Sequence, residues 1–238
     1  MTGRGRSGAA KTACRWRLGR RNAAYLSAQG AVISQDFQSF EDLVRWRRDV
    51  RRFRADPVAN DVLDEVLAIA DLSPSVGNSQ PWRIVEVRDR EKRAAIADSF
   101  ARANEAAASI YDDERSRHYR SLKLAGFDCA PIHLAIYCEP DAPQGHGLGR
   151  QTMPEMLPYS CVSFVTTLWY AARARGLGLG WVSIVRPDEV TAILGVPSDW
   201  SLIGYLLLGW PEEENMDPEL ERAGWQERTP LQARRIVR

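Results

Sequence analysis

Histidine and cysteine are scarce in this 238-residue chain, with three of the first and four of the second. His118, His133 and His146 are scattered, and Cys14, Cys129, Cys138 and Cys161 form no CxxC pair. Neither set has metal-ligand spacing, so no metal site is expected, and the cysteines read as reduced thiols of a cytoplasmic protein. Long apolar runs are missing too. The longest, "CVSFVTTLWYAA" at 161–172, is too short to cross a bilayer and leads straight into Arg173 and Arg175, so no membrane span is expected. Acidic residues are absent from 1–35, which hold seven Lys/Arg, and the remainder carries 25 basic against 31 acidic residues. A body of that sign is a poor binder of nucleic acid.

The N-terminal segment contains G-x-G-x-x-G at Gly3, Gly5 and Gly8, without the strand and βαβ unit that a dinucleotide fingerprint requires. Its composition resembles a transit peptide but offers no apolar core for a secretory signal. It reads as a disordered basic extension over 1–35, or as a start codon placed too far upstream. One domain follows over 36–238.

Apolar spacing in "FQSFEDLVRWRRDVRRF" places Phe40, Leu43, Val44 and Arg47 on one face of a helix that ends close to the arginine cluster, and predicts a second helix over "NDVLDEVLAIADLS", with Val62, Leu63, Val66, Leu67 and Ala70 as its buried stripe. "RIVEVRD" alternates as a strand, "REKRAAIADSFARANEAA" is helical, and 109–128 reads as a charged helical cover. "PIHLAIYCE" is a buried strand. A long helix is predicted from Pro154 to Arg175 with Gly176 at C′. A strand, a short helix, a closing strand and a polar C-terminal arm complete the chain. Few, well-separated strands among helices argue for an α+β fold around a central sheet.

Three stretches invite chemistry. "RWRRDVRRFR" (45–54) surrounds Asp49 with six arginines. Guanidinium forks suit phosphate, whereas the plain reading is a solvated basic helix end. "SPSVGNSQPW" (73–82) sets Ser75, Asn78 and Gln80 around Gly77, either lining a ligand or simply joining helix to strand. "RGLGLGWVSI" (175–184) spaces Gly176, Gly178 and Gly180 alternately, a pattern suited to a φ > 0 turn or the close approach of a planar group, though by itself weak.

Together, "RRxVRxF", "PSxGNxQPW" and "AARARGLGLGW" resemble the nitroreductase-like flavoprotein family over residues 37–235, and most of all its BluB branch, the 5,6-dimethylbenzimidazole synthases. Where the family usually carries Arg-Arg-Ser, this chain has Arg47-Arg48-Asp49. The resemblance implies a central mixed or antiparallel sheet surrounded by helices, in a domain-swapped homodimer with FMN at the subunit interface. It implies that Arg47, Arg48 and Arg51, with Asp49 and Val50 between them, contact the flavin phosphate and pyrimidine edge. Ser75, Gly77, Asn78 and Gln80 would line the groove, from the same or the partner subunit, and Gly178, Gly180 and Ser183 would approach the ring. Arg228 matches a C-terminal phosphate arginine.

In that branch reduced FMN is the substrate. Molecular oxygen fragments it to 5,6-dimethylbenzimidazole, the lower ligand of vitamin B12, and erythrose 4-phosphate. The resemblance makes Asp49 the general base, since serine is a poor one, with Ser183 positioning the oxygen adduct or its N5 region. A separate flavin reductase would supply the reduced flavin, and NAD(P)H would act indirectly. Rival readings are an NAD(P)H-dependent nitroreductase or flavin reductase, a cob(II)yrinic acid a,c-diamide reductase, and, from another class, a non-catalytic flavin-binding protein.

Overall fold

"PIHLAIYCE" becomes strand β2 (Ile132–Cys138), buried along its whole length. A strand apolar on both faces must be covered on both, and here helices do so. The computed structural model describes residues 39–122 and 125–238; the basic extension expected over 1–35 lies outside the described residues. In chain order the elements are α1 (Phe40–Trp46), α2 (Asn60–Ala70), β1 (Trp82–Glu86), α3 (Arg90–Ala108), α4 (Asp113–Ser121) and β2. They continue with α5 (Met156–Ala174), β3 (Gly178–Val182), α6 (Pro187–Leu194), β4 (Ser201–Gly209) and α7 (Glu219–Arg222).

The sheet order is β1-β2-β4-β3, and every neighbouring pair is antiparallel. Of the mixed or antiparallel alternatives, the sheet takes the second, save for one isolated parallel bridge between Asp49 and Leu179. On one face Ala135, Tyr137, Tyr205 and Leu207 pack against Ile96 of α3 and Val190 of α6. On the other, Trp82 stacks on Phe164 of α5 with centroids 5.1 Å apart, and α2 packs behind α5. The α2 stripe buries Val62, Leu63, Val66 and Ala70, as its spacing predicts, while Leu67 stays half-exposed.

One local signal holds to the residue. Gly176 follows the α5 C-cap with φ 75°, the left-handed conformation that glycine adopts without a Cβ penalty. Ser39 caps α1 by accepting from the Asp42 backbone N–H at 3.2 Å. In contrast, Phe40 is 70% exposed and sets its ring edge-on to Tyr170, while α1, ending after two turns, buries Trp46 instead. The C-terminal arm starts out paired to the arginine segment and is exposed from residue 226 onward. Residues 210–212 pair with 52–54 through Arg54 N–H to Trp210 O (2.8 Å) and Glu212 N–H to Arg52 O (3.0 Å).

Candidate functional site

The backbone around Asp49 lies against β3. The Val50 N–H donates to Leu179 O over 3.1 Å, and the Trp181 N–H donates to Asp49 Oδ1 over 3.1 Å. This close approach accounts for two glycines. A Cβ on Gly180 would sit 2.3 Å from the Val50 carbonyl oxygen, and one on Gly178 would meet the Val50 side chain at 2.7 Å. Both residues lie in extended strand, so the φ > 0 turn suggested by alternate glycines is confined to Gly176.

The six arginines are not equivalent. Arg45 pairs with Glu41, Arg54 with Asp56, and Arg52 with Glu213 and Glu219. Arg51 Nε binds Asp49 Oδ2 at 2.9 Å and lies 4.0 Å from Glu219. No carboxylate lies within ion-pair distance of Arg47 or Arg48 among the described residues. Arg47 stacks its guanidinium 4.6 Å over the Trp169 ring. Arg48 is fixed by carbonyls: Nε donates to Met216 O at 2.6 Å and Nη1 to Arg47 O at 2.6 Å, while Nη2 makes no bond among the described residues. Burial lowers the Arg48 pKa first, and the positive charges of Arg47 and Arg228 lower it further. Arg228, fixed through its backbone N–H to Glu221 at 2.8 Å, therefore does stand within electrostatic reach of Arg48. The charges of Asp217 and Glu221 act on Arg48 in the opposite sense, but among the described residues none of the three cations makes a carboxylate ion pair, and their donors suit a phosphate dianion.

Asp49 has both features that its sequence position suggests. It is an arginine partner, and its side chain is 32% exposed toward the pocket that it lines with Arg48 and Arg51. Burial pushes its carboxyl above the ordinary value, against the opposing pull of Arg51 and the Trp181 N–H. A carboxylate raised in this way is a better proton acceptor than one free in water.

The 75–80 loop is held elsewhere. Its Val76 N–H donates to Ser160 Oγ near the start of α5, whereas Trp169 Nε1 donates to the Arg48 carbonyl. Ser160 and Trp169 are nine residues apart, about 14 Å along the helix. Within one chain the loop and the arginine cluster thus line different pockets. Inside the loop, Ser75 Oγ accepts from the Gln80 N–H at 3.0 Å, and Gln80 Nε2 reaches Asp71 at 3.3 Å. Asn78 keeps a side chain with no partner among the described residues. Ser183 is exposed just beyond β3, and it too has none.

Some contributors were illegible in the sequence. Glu213, Glu219 and the Met216 carbonyl reach the cluster from more than 160 residues away, with no local signal. The stretch "DAPQGHGLGRQ", read as a plain loop, packs on the 75–80 loop so closely that a Cβ on Gly145 would lie 2.8 Å from Gly77 O. Three non-glycine residues with left-handed φ line this junction: Asn78 at 55°, Gln80 at 43° and His146 at 46°. Such strained backbone gathers at ligand sites. The closely spaced glycines 145, 147 and 149 were the available hint. Helix α4, within the expected cover, docks on the C-terminal arm through His118 Nε2 and Ala223 O (2.7 Å) and the packing of Tyr119 on Trp225.

The profile of the nitroreductase family matches residues 44–210. A 5,6-dimethylbenzimidazole synthase of Rhodospirillum rubrum is 54% identical over 202 residues, covering 84% of this chain and 96% of its own. One from Rhodobacter capsulatus is 45% identical over 191 residues, covering 80% and 92%. Among solved structures, oxidized iodotyrosine deiodinase bound to FMN and 3-iodo-L-tyrosine shares the fold. It has a TM-score of 0.65 and 23% identity, covering 83% of this chain and 97% of that one.

Proposed function

Since the chain belongs to the nitroreductase family, we infer that it is a 5,6-dimethylbenzimidazole synthase, the enzyme that makes the lower ligand of vitamin B12. The observation that carries this is 54% identity over almost the whole length of a relative with that activity. The substrate on this reading is reduced FMN, which in the presence of oxygen is fragmented to the benzimidazole and erythrose 4-phosphate.

Arg47, Arg48 and Arg228 hold the phosphate, and Arg51 keeps Asp49 oriented beside the pyrimidine edge. The Trp181 N–H fixes Oδ1 of Asp49, which leaves that carboxylate aimed from a rigid strand edge, as a base must be. Asp49 accepts the protons that must leave carbon and nitrogen. Gly178 and Gly180 hold the Asp49–Val50 backbone against β3, and Ser183 lies at the ring side as a hydrogen-bonding group.

The groove is completed by a second copy of the chain. Tyr159 and Val162 lie exposed on α5, and Leu72, Leu148 and Met153 are exposed nearby in sequence to the loops it carries. Exposed apolar side chains three apart on one helix face, as Tyr159 and Val162 are, favour burial against a partner. It would bring the partner's 75–80 loop to the arginine cluster, which a single chain does not do. A separate flavin reductase supplying the reduced flavin, and a cytoplasmic setting, belong to the same reading.

The test is the fate of the flavin. Purified protein is mixed with chemically reduced FMN without air, oxygen is admitted, and oxidised-flavin absorbance and products are followed. Loss of the flavin with appearance of 5,6-dimethylbenzimidazole is the expected result. Full return of oxidised FMN would instead indicate a reductase or a flavin binder.

A further inference from the structure

Arg173 is charged yet only 3% exposed, and the proposed reaction gives it no task. It lies at the C-terminal end of α5, with its guanidinium 3.1 Å from the centroid of the Trp46 ring. Its Nη2 reaches Glu214 Oε1 at 3.0 Å, and its Nε has no hydrogen-bond partner among the described residues. A buried guanidinium with so few partners is an expensive structural element when a methionine would fill the same space. Its value must therefore lie in what it holds.

What it holds is the start of the arm that crosses the arginine cluster. Glu213 binds Arg52, Glu214 binds Arg173, and two residues later the Met216 carbonyl accepts from Arg48 Nε at 2.6 Å. Arg52 is itself 31% exposed in its side chain, whereas Arg173 is at 4%, so the rigid tie of this segment is the one to α5. We propose that Arg173 is a positioning residue: by gripping Glu214 it sets residues 213–216 so that the Met216 carbonyl aims the Arg48 guanidinium at the phosphate. This rests on the assignment of Arg48 to the flavin phosphate.

Simple electrostatics and the relay predict opposite signs. Removing an acid beside an anion site tightens anion binding if charge alone matters. Removing Glu214 loosens it if that acid works through Arg48. Binding of dithionite-reduced FMN and reduced riboflavin is measured under argon by quenching of tryptophan fluorescence, for wild type, Glu214→Ala, Arg173→Met and the exposed neighbour Glu212→Ala. In Glu214→Ala the Kd for reduced FMN rises about tenfold, the scale of one misaligned charge-assisted contact. Riboflavin binding stays within about twofold of wild type, because the phosphate alone is affected. Arg173→Met behaves alike, and Glu212→Ala does not. Arg173→Met fills the buried space and leaves Glu214 half-exposed to water, so that variant folds even where Glu214→Ala, which strands a buried guanidinium, does not.

Unchanged or tighter FMN binding in Glu214→Ala, with wild type still preferring FMN to riboflavin, overturns the relay alone. Equal loss of both flavins overturns it as well and leaves a general structural role. A wild type that binds both flavins equally overturns the phosphate assignment and the relay with it.

Discussion

Trp181 and Asp49 are 132 residues apart, and the backbone N–H of the first donates to a carboxylate oxygen of the second over 3.1 Å. The other oxygen is taken by Arg51 at 2.9 Å. A carboxylate with one oxygen on a strand edge and the other on a guanidinium is oriented before any ligand arrives.

Asp49→Asn keeps the shape and the Trp181 contact but cannot accept a proton. It should bind reduced FMN within about threefold of wild type and form benzimidazole at least about 100-fold more slowly, measured by single-turnover product analysis. The sign of its pH effect follows from the raised pKa. In wild type, Asp49 contributes stability below the ordinary carboxylate range and loses it as pH rises through the folded value. The melting temperature of the Asn variant relative to wild type should therefore improve as pH rises above the ordinary carboxylate range of about 4. A difference independent of pH would show that Asp49 ionises as it does in water.

Arg48→Met removes a guanidinium whose Nη2 makes no bond among the described residues, whereas Arg45→Met removes an exposed one paired with Glu41. The first should weaken FMN binding by about 10- to 100-fold and flatten its salt dependence, and the second should leave both within about twofold. Equal effects would mean that the cluster acts only through its summed charge.

Gly178→Ala meets the Val50 side chain and Gly180→Ala meets the Val50 carbonyl oxygen. Each should destabilise the protein by about 1–3 kcal/mol in urea unfolding. Val50→Ala should recover part of the Gly178→Ala loss and none of the Gly180→Ala loss, because only the first clash involves Val50 γ-carbons. Independent effects in both double variants would count against the packing.

Mixing subunits tests the shared groove. Asp49→Asn and Gln80→Ala, each inactive alone, should regain about a quarter of wild-type activity when co-expressed in equal amounts, since half the dimers are mixed and each has one intact site. No recovery would place the loop and Asp49 in the same subunit's site.

His133 is 1% exposed, with Nδ1 2.9 Å from the Tyr205 hydroxyl and Nε2 unpartnered among the described residues. Burial, helped by the Arg93 charge, lowers its pKa from 6.5 to about 4. The folded protein thus favours neutral imidazole. That stability is present above the unfolded pKa and is lost as pH falls from about 6.5 to about 4, a change of about 3 kcal/mol. His133→Gln should flatten the urea-midpoint profile over that window. An unchanged profile would assign the acid sensitivity to the carboxylates.

The sequence by itself determined the parts whose cause is local. Period and capping located the α2 stripe, the buried β2 and the stop of α5 at Gly176, because backbone preference and side-chain spacing act within a few residues. The clustering of arginines about Asp49 was equally plain, and so was the family pattern around it. Only the tertiary structure decided which arginines remain available, because neutralisation comes from Glu213 and Glu219 across the fold, and charge pairing depends on distance in space, not along the chain. It also showed that Gly178 and Gly180 serve the approach of Val50. And it set the 75–80 loop apart from Asp49, since α5 anchors the two about 14 Å apart along its axis.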